Sequence, residues 1–418
     1  MNINLHEDRC LVSSLPEQVL TVLYSENLLG NDQYKLDFCG MVMQDNRVDI
    51  FLPRNSGTIS HLDQQKTSAS LIRAIHKYTQ NKDRSLFSEG ASERLVGDSF
   101  LALAFTLFSD YVEHGIYFRK TTDIRKNTGK IDWKRTIGKI QGYPSNGVLA
   151  YLDTLGRKNL IHYDDEVTRI HAEIIREIDR IVGWVFSDEN LDITSELAYI
   201  KKPSGDVKTK IGVLERELAG VFSDRKIKLM IDLVAYLTNK TGRSDNSLVI
   251  GISKFHSMWE HMIDSCMKWK YDINRRLAKP CYKINGEYQI AAQKGGRTDT
   301  VLRSPDKSIF SIIDAKYYGA ENLANLPGWP DLIKQFFYAL ALKDIYPEAT
   351  IHNWFIFPGA SQKVDSVHLM SPTTRELQDE KYTPILCEYL DPISLINCYL
   401  SGKTLLDLPE KLLQMQKD

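Results

Sequence analysis

Four side chains that could do chemistry together lie in the stretch 295–338: Asp299, Asp314, Lys316 and Gln335. Asp314 and Lys316 are two residues apart, so in a strand both project from the same face. The apolar run 309–313 before them predicts a buried strand, and a carboxylate at the edge of a core needs a partner such as a metal ion. The alternative, usual for an isolated Asp-x-Lys, is a solvated surface pair.

A hairpin is needed to bring the two carboxylates together. Short β-rich runs at 301–302 and 309–313 flank Ser304-Pro305-Asp306-Lys307, where proline fixes φ and the aspartate can cap a turn. With the turn centred near Asp306, Asp299 lies across from Ile313 or Asp314. Two carboxylates and an ammonium group then converge.

Elements on both sides of this hairpin carry further candidates. Upstream, the apolar strand 248–252 leads into a helix with Phe255, Met258, Trp259 and Met262 at helical spacing. Glu260 could reach inward from that helix. Downstream, a helix over 331–338 puts Gln335 and Tyr338 on one face.

In this order, the strand, the helix with Glu260, the hairpin with Asp314-Ala315-Lys316 and the helix with Gln335 resemble the PD-(D/E)XK nuclease core. That resemblance implies a central mixed sheet flanked by helices and hydrolysis of phosphodiesters assisted by one or two Mg²⁺ ions per site. It also implies site roles. Asp299 and Asp314 would hold the metal, Glu260 would take an outer or second-metal position, Lys316 would orient the attacking water or help deprotonate it, and Gln335 would steady the site or the phosphate.

The residue before Asp299 is Thr298, where the family pattern has proline. A literal Pro-Asp pair occurs at Pro305-Asp306, eight residues before Asp314. We assign the first metal carboxylate to Asp299 because Asp306 occupies the turn, away from Asp314.

Two more stretches carry a resemblance. FCGMVMQDNRVDIFLPRN (38–55) predicts a hairpin, and it is similar, as is GKIDWKRTI (129–137), to LlaJI-type and McrC-like restriction proteins. Such systems pair the nuclease with an AAA+ GTPase motor, so the resemblance implies an McrB-like partner. The sequence contains no Walker A loop, GxGxxG or GxSxG, which predicts that the chain does not itself hydrolyse nucleotides.

Two basic segments are candidates for contact with phosphates of double-stranded DNA. The predicted contacts are Lys130, Trp133, Lys134, Arg135, Lys139, Lys208 and Lys210. Trp133 could stack on or brace a DNA strand while its basic neighbours contact the phosphates. The competing interpretation is a core tryptophan with a solvated basic rim. The second segment, 201–210, is predicted to be a loop.

Composition narrows the class of protein. The 418 residues carry a formal charge of −1 and are 43% hydrophobic, which is typical of a globular protein without a global basic field. The six cysteines show no metal-type or disulfide-framework spacing. No signal pattern or bilayer-length apolar run occurs, so we expect a cytoplasmic bacterial protein without membrane contact.

The predicted fold is mixed α/β. We expect a β-rich part over 1–60, a mainly helical region with basic segments over 61–245, and the nuclease domain over 246–418. The predicted function is Mg²⁺-dependent DNA cleavage in a restriction system. Cutting both strands needs two active sites, which favours a homodimer or transient pair. The alternatives are a repair or recombination nuclease, or a non-catalytic subunit that binds DNA or regulates a motor.

Overall fold

The computed structural model describes residues 2–29, 34–44, 47–84, 95–145, 148–162, 164–186, 194–241, 247–291, 295–405 and 407–414. The chain forms two compact units. Unit 1 comprises Met1–Asp98 and Ser244–Asp418, and unit 2 comprises Ser99–Arg243.

The helices of the described residues are α1 (Glu17–Ser25), α2 (Gln64–Arg84), α3 (Asp98–His114), α4 (Trp133–Lys139), α5 (Glu166–Phe186), α6 (Val207–Leu218), α7 (Asp224–Thr241), α8 (His256–Cys266), α9 (Trp329–Ile345), α10 (Pro392–Ser401) and α11 (Asp407–Leu412).

The strands of the same residues are β1 (Asn2–Glu7), β2 (Cys39–Gln44), β3 (Arg47–Leu52), β4 (Leu95–Val96), β5 (Arg119–Lys126), β6 (Lys130–Ile131), β7 (Tyr143–Ser145), β8 (Val148–Ala150), β9 (Leu155–His162), β10 (Ser247–Ile252), β11 (Cys281–Ile284), β12 (Glu287–Ile290), β13 (Thr300–Arg303), β14 (Ile309–Ala315), β15 (Thr350–Pro358), β16 (Ser366–Val367) and β17 (Ile385–Leu390).

The first sheet of unit 1 has the order β1-β3-β2-β10-β4. Its hairpin, β2 and β3, is the one predicted from 38–55, although Asp45 and Asn46 of the turn lie outside the described residues. β2 pairs with β10 across Gly40 and Gly251. A Cβ on Gly40, whose φ is +149°, would lie 2.2 Å from the Ile250 carbonyl oxygen, so this close pairing requires glycine. Helices α1 and α2 pack on this sheet.

The second sheet of unit 1 has the order β13-β14-β15-β17-β16. β14 is antiparallel to β13 and parallel to β15, which makes the sheet mixed. Helix α9 packs on one face, where Tyr338 and Leu342 join Phe310 and Ile312 in one apolar cluster. Ser311 and Trp354 donate side-chain hydrogen bonds to the Leu412 carbonyl, which fixes the C-terminal helix α11 to the sheet.

The described residues of unit 2 form α3 to α7 and the strands β5 to β9. Helix α6 packs against α5 and α7, while β5, β9 and β6 form a three-stranded sheet and β7 pairs with β8. The amphipathic helix predicted from Asp165 to Phe186 is α5, and Ile170, Ile174 and Ile178 are buried along its apolar face.

The mixed α/β class is confirmed, and the structure differs from the predicted layout in two ways. The 61–245 region is not mainly helical throughout, because β5 to β9 lie within it. Residues 1–60 do not stand apart from 246–418, because β2 and β10 share a sheet. Strand β10 therefore lies in the first sheet, whereas Asp314 ends a strand of the second. Within the described ranges, no helix is long and apolar enough to span a membrane.

Candidate active site

The hairpin β13–β14 positions the two carboxylates. Thr300 pairs with Ile313, so Asp299 lies opposite Asp314, and the Ala315 amide donates to Asp299 Oδ2 over 3.3 Å. The turn is closed by Asp306, which accepts hydrogen bonds from Ser304 and Ser308. Those bonds lower the pKa of Asp306 to about 2. Asp306 thus caps the turn, as predicted, and lies away from Asp314.

The carboxyl groups of Asp299 and Asp314 lie side by side and are both largely buried. Burial raises the pKa of Asp299 to about 8, with further contributions from the hydrogen bond to Asp314 and from its charge. Burial alone would also raise the pKa of Asp314, but the hydrogen bond with Asp299 and the charges of Lys316 and Lys334 lower it. Two adjacent carboxylates that are removed from water do not both ionise easily, because their negative charges repel each other. Burial and the neighbouring acid therefore raise the pKa of Asp299, while the two lysines keep the pKa of Asp314 low.

Lys316 is directed into the site rather than towards solvent. Its Nζ lies 2.7 Å from Asp314 Oδ2 and 2.7 Å from Asp331 Oδ1, and its side chain is 14% exposed. Burial would lower the pKa of Lys316, but the two carboxylates raise it. The ammonium is therefore charged and held as a donor between two acids, so this Asp-x-Lys is not a solvated surface pair.

Lys334, on helix α9, is a second ammonium group at the carboxylates. Its Nζ lies 3.3 Å from Asp314 Oδ1 and 3.6 Å from Asp299 Oδ1. Burial would lower the pKa of Lys334, but Asp314 and Asp299 raise it well above its ordinary value. In this structure the charge of Lys334 balances the acid pair.

Lys334 and Asp331 were not among the residues predicted from the sequence. The sequence feature that could have identified them is helical spacing. Asp331, Lys334 and Gln335 follow the i, i+3, i+4 pattern and share one face of α9. Placing that face over the end of β14 requires the packing of α9 on the sheet, which the local sequence does not encode.

Gln335 is buried and braces the framework behind the acids. Its Nε2 donates to the Trp354 carbonyl over 3.0 Å, and its Oε1 accepts no hydrogen bond within the described structure. Gln335 therefore joins α9 to β15 in this structure. Its predicted role towards a phosphate stays a prediction.

Glu260, on α8, is near enough that its charge contributes to raising the pKa of Asp299. The described residues contain no group of three or more acidic, histidine or cysteine side chains close enough to hold a metal ion. Glu260 is thus not brought together with the two aspartates as a third direct ligand. An outer position for it stays a prediction.

The donor set at Asp299 and Asp314 fits a divalent cation. Mg²⁺ is commonly bound by one or two carboxylates, with water and substrate phosphate completing its shell. Here two carboxyl groups share a site that needs positive charge, supplied in this structure by the ammonium groups of Lys316 and Lys334. Asp299 and Asp314 are therefore the residues that would hold the ion.

Tyr317 fixes the strand end that carries Lys316. Its hydroxyl accepts a hydrogen bond from the Arg54 amide over 3.0 Å and lies 3.7 Å from Cys39 Sγ. Asn55 also donates to the Pro358 carbonyl over 3.0 Å. The end of the first hairpin is thereby bonded to the site-bearing sheet.

The motif 129–137 builds a compact corner in unit 2. Gly129 has φ +84°, and a Cβ there would lie 2.3 Å from the Arg157 carbonyl oxygen. Asp132 caps α4 by accepting from the Arg135 amide, and its Oδ2 accepts from Arg157 Nε over 2.8 Å. Thr136 is buried and bonded to the Leu155 amide. These contacts explain the glycine, aspartate and threonine of the motif structurally.

The remaining residues of this motif lie on the surface. Trp133 is 54% exposed, so it is not the core tryptophan of the competing interpretation. The predicted basic contacts of this segment are all exposed: Lys130, Lys134, Arg135 and Lys139.

The second basic segment differs from the predicted loop, because α6 begins at Val207. Lys208 is exposed on its first turn. Lys210 is 13% exposed and forms an ion pair with Glu173, so its ammonium is already engaged.

The fold and site define a mixed α/β protein with a paired-carboxylate, lysine-containing site at the end of a β-strand. The chain belongs to the LlaJI restriction endonuclease family, whose model matches residues 38–371. The predicted resemblance to LlaJI-type restriction proteins is thereby confirmed, and the chain is a restriction-system protein.

Individual similarities extend over most of the chain. The type II restriction enzyme BsuMI component YdjA of Bacillus subtilis (strain 168) is 23% identical over 410 residues, covering 92% of this chain and 85% of that protein. A chain from the assembly of Thermococcus gammatolerans McrB AAA+ hexamers with bound McrC superposes with a TM-score of 0.41 and 11% identity, covering 96% and 99% of the two chains.

Proposed function

We propose that this chain is a Mg²⁺-dependent endonuclease that hydrolyses DNA phosphodiester bonds in a bacterial restriction system. The observation that carries the proposal is the Asp299, Asp314 and Lys316 cluster at the end of β14, in which Lys316 Nζ lies 2.7 Å from Asp314 Oδ2. Membership of a restriction endonuclease family supports DNA as the substrate.

Each residue of the cluster has a role that follows from its contacts. Asp299 and Asp314 would hold the ion, which supplies positive charge to the phosphodiester and acidifies water. Lys316 donates hydrogen bonds to the phosphate or the attacking water, because its flanking acids keep it protonated. Asp331 orients Lys316 by accepting a hydrogen bond from its Nζ. Gln335 holds α9 against β15 and thereby keeps Lys334 beside the acids.

The basic surface around α4 is proposed as a contact for the DNA backbone. Trp133 and its exposed basic neighbours offer stacking area and cations on one short helix. Lys208 belongs to the same proposal, whereas Lys210 is occupied by Glu173.

We also propose that the chain works with other subunits. The Bacillus subtilis relative is named as a component of its restriction enzyme. An McrB-like GTPase is the partner implied by the resemblance of 38–55 and 129–137. Its involvement is tested by adding GTP and the products of neighbouring genes to the purified chain with long DNA, followed by mapping of the ends.

The central experiment compares four single substitutions. Asp314→Asn and Lys316→Ala should abolish Mg²⁺-dependent cleavage while leaving DNA affinity within a few fold of the unsubstituted protein. Asp306→Asn is the matched control, because Asp306 lies on the same hairpin but caps its turn. Cleavage that survives Asp299→Asn and is lost in Asp306→Asn would show that the first carboxylate is misassigned.

Retention of cleavage in both Asp314→Asn and Lys316→Ala would refute the proposed site. A wild-type chain that binds DNA and never cuts it, with any partner or divalent ion, would instead favour the non-catalytic subunit.

A further inference from the structure

A two-stranded ribbon projects next to the candidate site, and the proposed mechanism does not use it. Strands β11 and β12 pair antiparallel from Cys281 opposite Ile290 to Ile284 opposite Glu287. The two residues that join them, Asn285 and Gly286, have φ of +54° and +90°. Positive φ at both positions is the mark of a tight type I′ turn, which matches the twist of a hairpin.

The ribbon presents apolar side chains to solvent on both faces. All eight strand residues are exposed, including Tyr288 at 74% and Ile290 at 70%. Paired residues share a face, so Tyr288 lies with Lys283 on one face, and Tyr282 and Ile284 lie on the other. An isolated two-stranded ribbon is marginally stable in water, and exposed apolar groups of this size mark an interaction surface.

The ribbon and its two arms carry net positive charge, although Arg275 is paired with Asp272. The segment 275–297 contains six basic residues and one acidic residue, Glu287, in a chain whose formal charge is −1. Lys279, Lys283 and Arg297 are exposed in the structure. The Lys283 ammonium lies 5.5 Å from the centre of the Tyr288 ring, so cation and aromatic are presented together. This composition complements a polyanion that also offers apolar surface.

The base of the ribbon is fixed beside the carboxylates. Asn274, on the arm that precedes the ribbon, accepts a hydrogen bond from the Thr298 amide over 2.9 Å on the arm that follows it. Tyr338, on α9, donates to the Arg297 carbonyl over 2.8 Å. Asp299 is the next residue after Thr298. The two arms of the ribbon are therefore bonded to each other and to α9 next to Asp299.

We propose that the ribbon β11–β12 enters the major groove of duplex DNA and positions the duplex over Asp299 and Asp314. The major groove is wide enough for a two-stranded ribbon. Exposed lysines on and beside the ribbon meet phosphates at the groove edges, and the tyrosine and isoleucine side chains contact base edges and thymine methyl groups. This inference rests on the proposed function, because it identifies how that site takes its substrate.

The test measures binding separately from cutting. Lys283→Glu combined with Tyr288→Ala should weaken affinity for a mixed-sequence duplex, measured by fluorescence anisotropy with Ca²⁺ in place of Mg²⁺, by about tenfold. The matched control combines Lys403→Glu with Tyr24→Ala, because both residues are exposed and lie outside the ribbon, Tyr24 on α1 and Lys403 between α10 and α11. The control should bind as the unsubstituted protein does, and circular dichroism should show both variants folded.

A second probe addresses the groove itself. Duplex DNA with glucosylated 5-hydroxymethylcytosine carries a bulky group in the major groove. The unsubstituted chain should bind it more weakly than the unmodified duplex, whereas the ribbon variant should bind both duplexes equally.

Equal binding by the ribbon variant and the unsubstituted chain would overturn the inference. So would loss of self-association or of a protein partner in the variant with DNA affinity unchanged, since the ribbon would then be a protein interface. If the unsubstituted chain binds in a ribbon-dependent manner but does not cut, the inference stands and the proposed hydrolysis fails.

Discussion

Two aspartates and two lysines share a small volume at the end of β14, and their charges determine what the site can bind. Asp314 faces both ammonium groups, and burial beside Asp314 raises the pKa of Asp299. A divalent ion at the acids would take over the charge balance to which Lys334 now contributes. Lys334 is then free to meet the charge of a phosphate.

Substitution of Lys334 tests this balance. Lys334→Met removes a cation that competes for the acids, so the affinity for Mg²⁺ in the absence of DNA should rise by about tenfold, measured by isothermal titration calorimetry. Lys334→Arg keeps the charge and serves as the control. A lower affinity for Mg²⁺ in Lys334→Met would show that the lysine supports the metal site instead.

A buried histidine in unit 2 predicts a pH dependence of stability. Burial lowers the pKa of His171 to about 4, and its Nδ1 accepts a hydrogen bond from the Tyr117 amide over 3.1 Å. The unfolded chain, with a histidine pKa near 6.5, binds more protons between these values, so stability falls as the pH drops through that window, by about 3 kcal/mol in all.

His171→Asn keeps an acceptor for Tyr117 and cannot titrate. Urea unfolding at about pH 7 and about pH 5 should therefore show a smaller loss of stability in this variant than in the unsubstituted chain. Identical losses in both proteins would assign the acid sensitivity to other groups.

At the scale of elements, the bond between the two sheets of unit 1 predicts that the first hairpin supports catalysis. Tyr317→Phe leaves the Arg54 amide without its acceptor, which should lower the free energy of unfolding by about 1 to 2 kcal/mol. Because Lys316 precedes Tyr317, the cleavage rate should fall as well. Tyr24→Phe, at an exposed hydroxyl, is the control for both measurements. Unchanged stability and rate would remove the hairpin from the support of the site.

The α4 surface predicts a change in salt dependence. Replacing Lys134 and Arg135 with alanine should weaken DNA binding and reduce the slope of log affinity against log salt by about one for each phosphate that is no longer neutralised. Asp132→Ala is the contrasting variant, since it removes the cap of α4 and should mainly destabilise unit 2. An unaltered salt slope in the first variant would leave the surface with a purely structural role.

Local sequence patterns predicted the strands and helices that hold the site. The parts of the fold that depend on pairing between distant segments were not predicted. The turn at Asp306 and the apolar run of β14 are encoded within a few residues, so hairpin and register follow from them. The pairing of β10 with β2 joins residues about two hundred positions apart and has no local signal. Strand β5, RKTTDIRK, lacks apolar alternation and was not predicted. The Asn285-Gly286 turn between β11 and β12 was a usable signal from which no hairpin was predicted.

At the scale of the whole molecule, the single site proposed among the described residues predicts that double-strand cleavage needs two copies. Excess Asp314→Asn protein mixed with the unsubstituted chain should convert double-strand breaks into nicks, because mixed pairs carry one working site. Gel analysis of a supercoiled plasmid distinguishes linear from nicked product. Excess Lys403→Glu protein is the control, and linear product that persists with the Asp314→Asn protein would show that each copy cuts both strands alone.

The chain leaves unit 1 after β4 and returns to it at β10. These two strands are paired, and Gly97 lies against Val249. An inserted unit whose two ends lie close together in this way can be exchanged or removed without changing the fold of the unit that contains it. Joining Asp98 to Ser247 through a short glycine and serine linker should give a shortened protein in which β14 and α9 still assemble. The architecture therefore allows unit 1 to acquire different inserted units by replacement between β4 and β10.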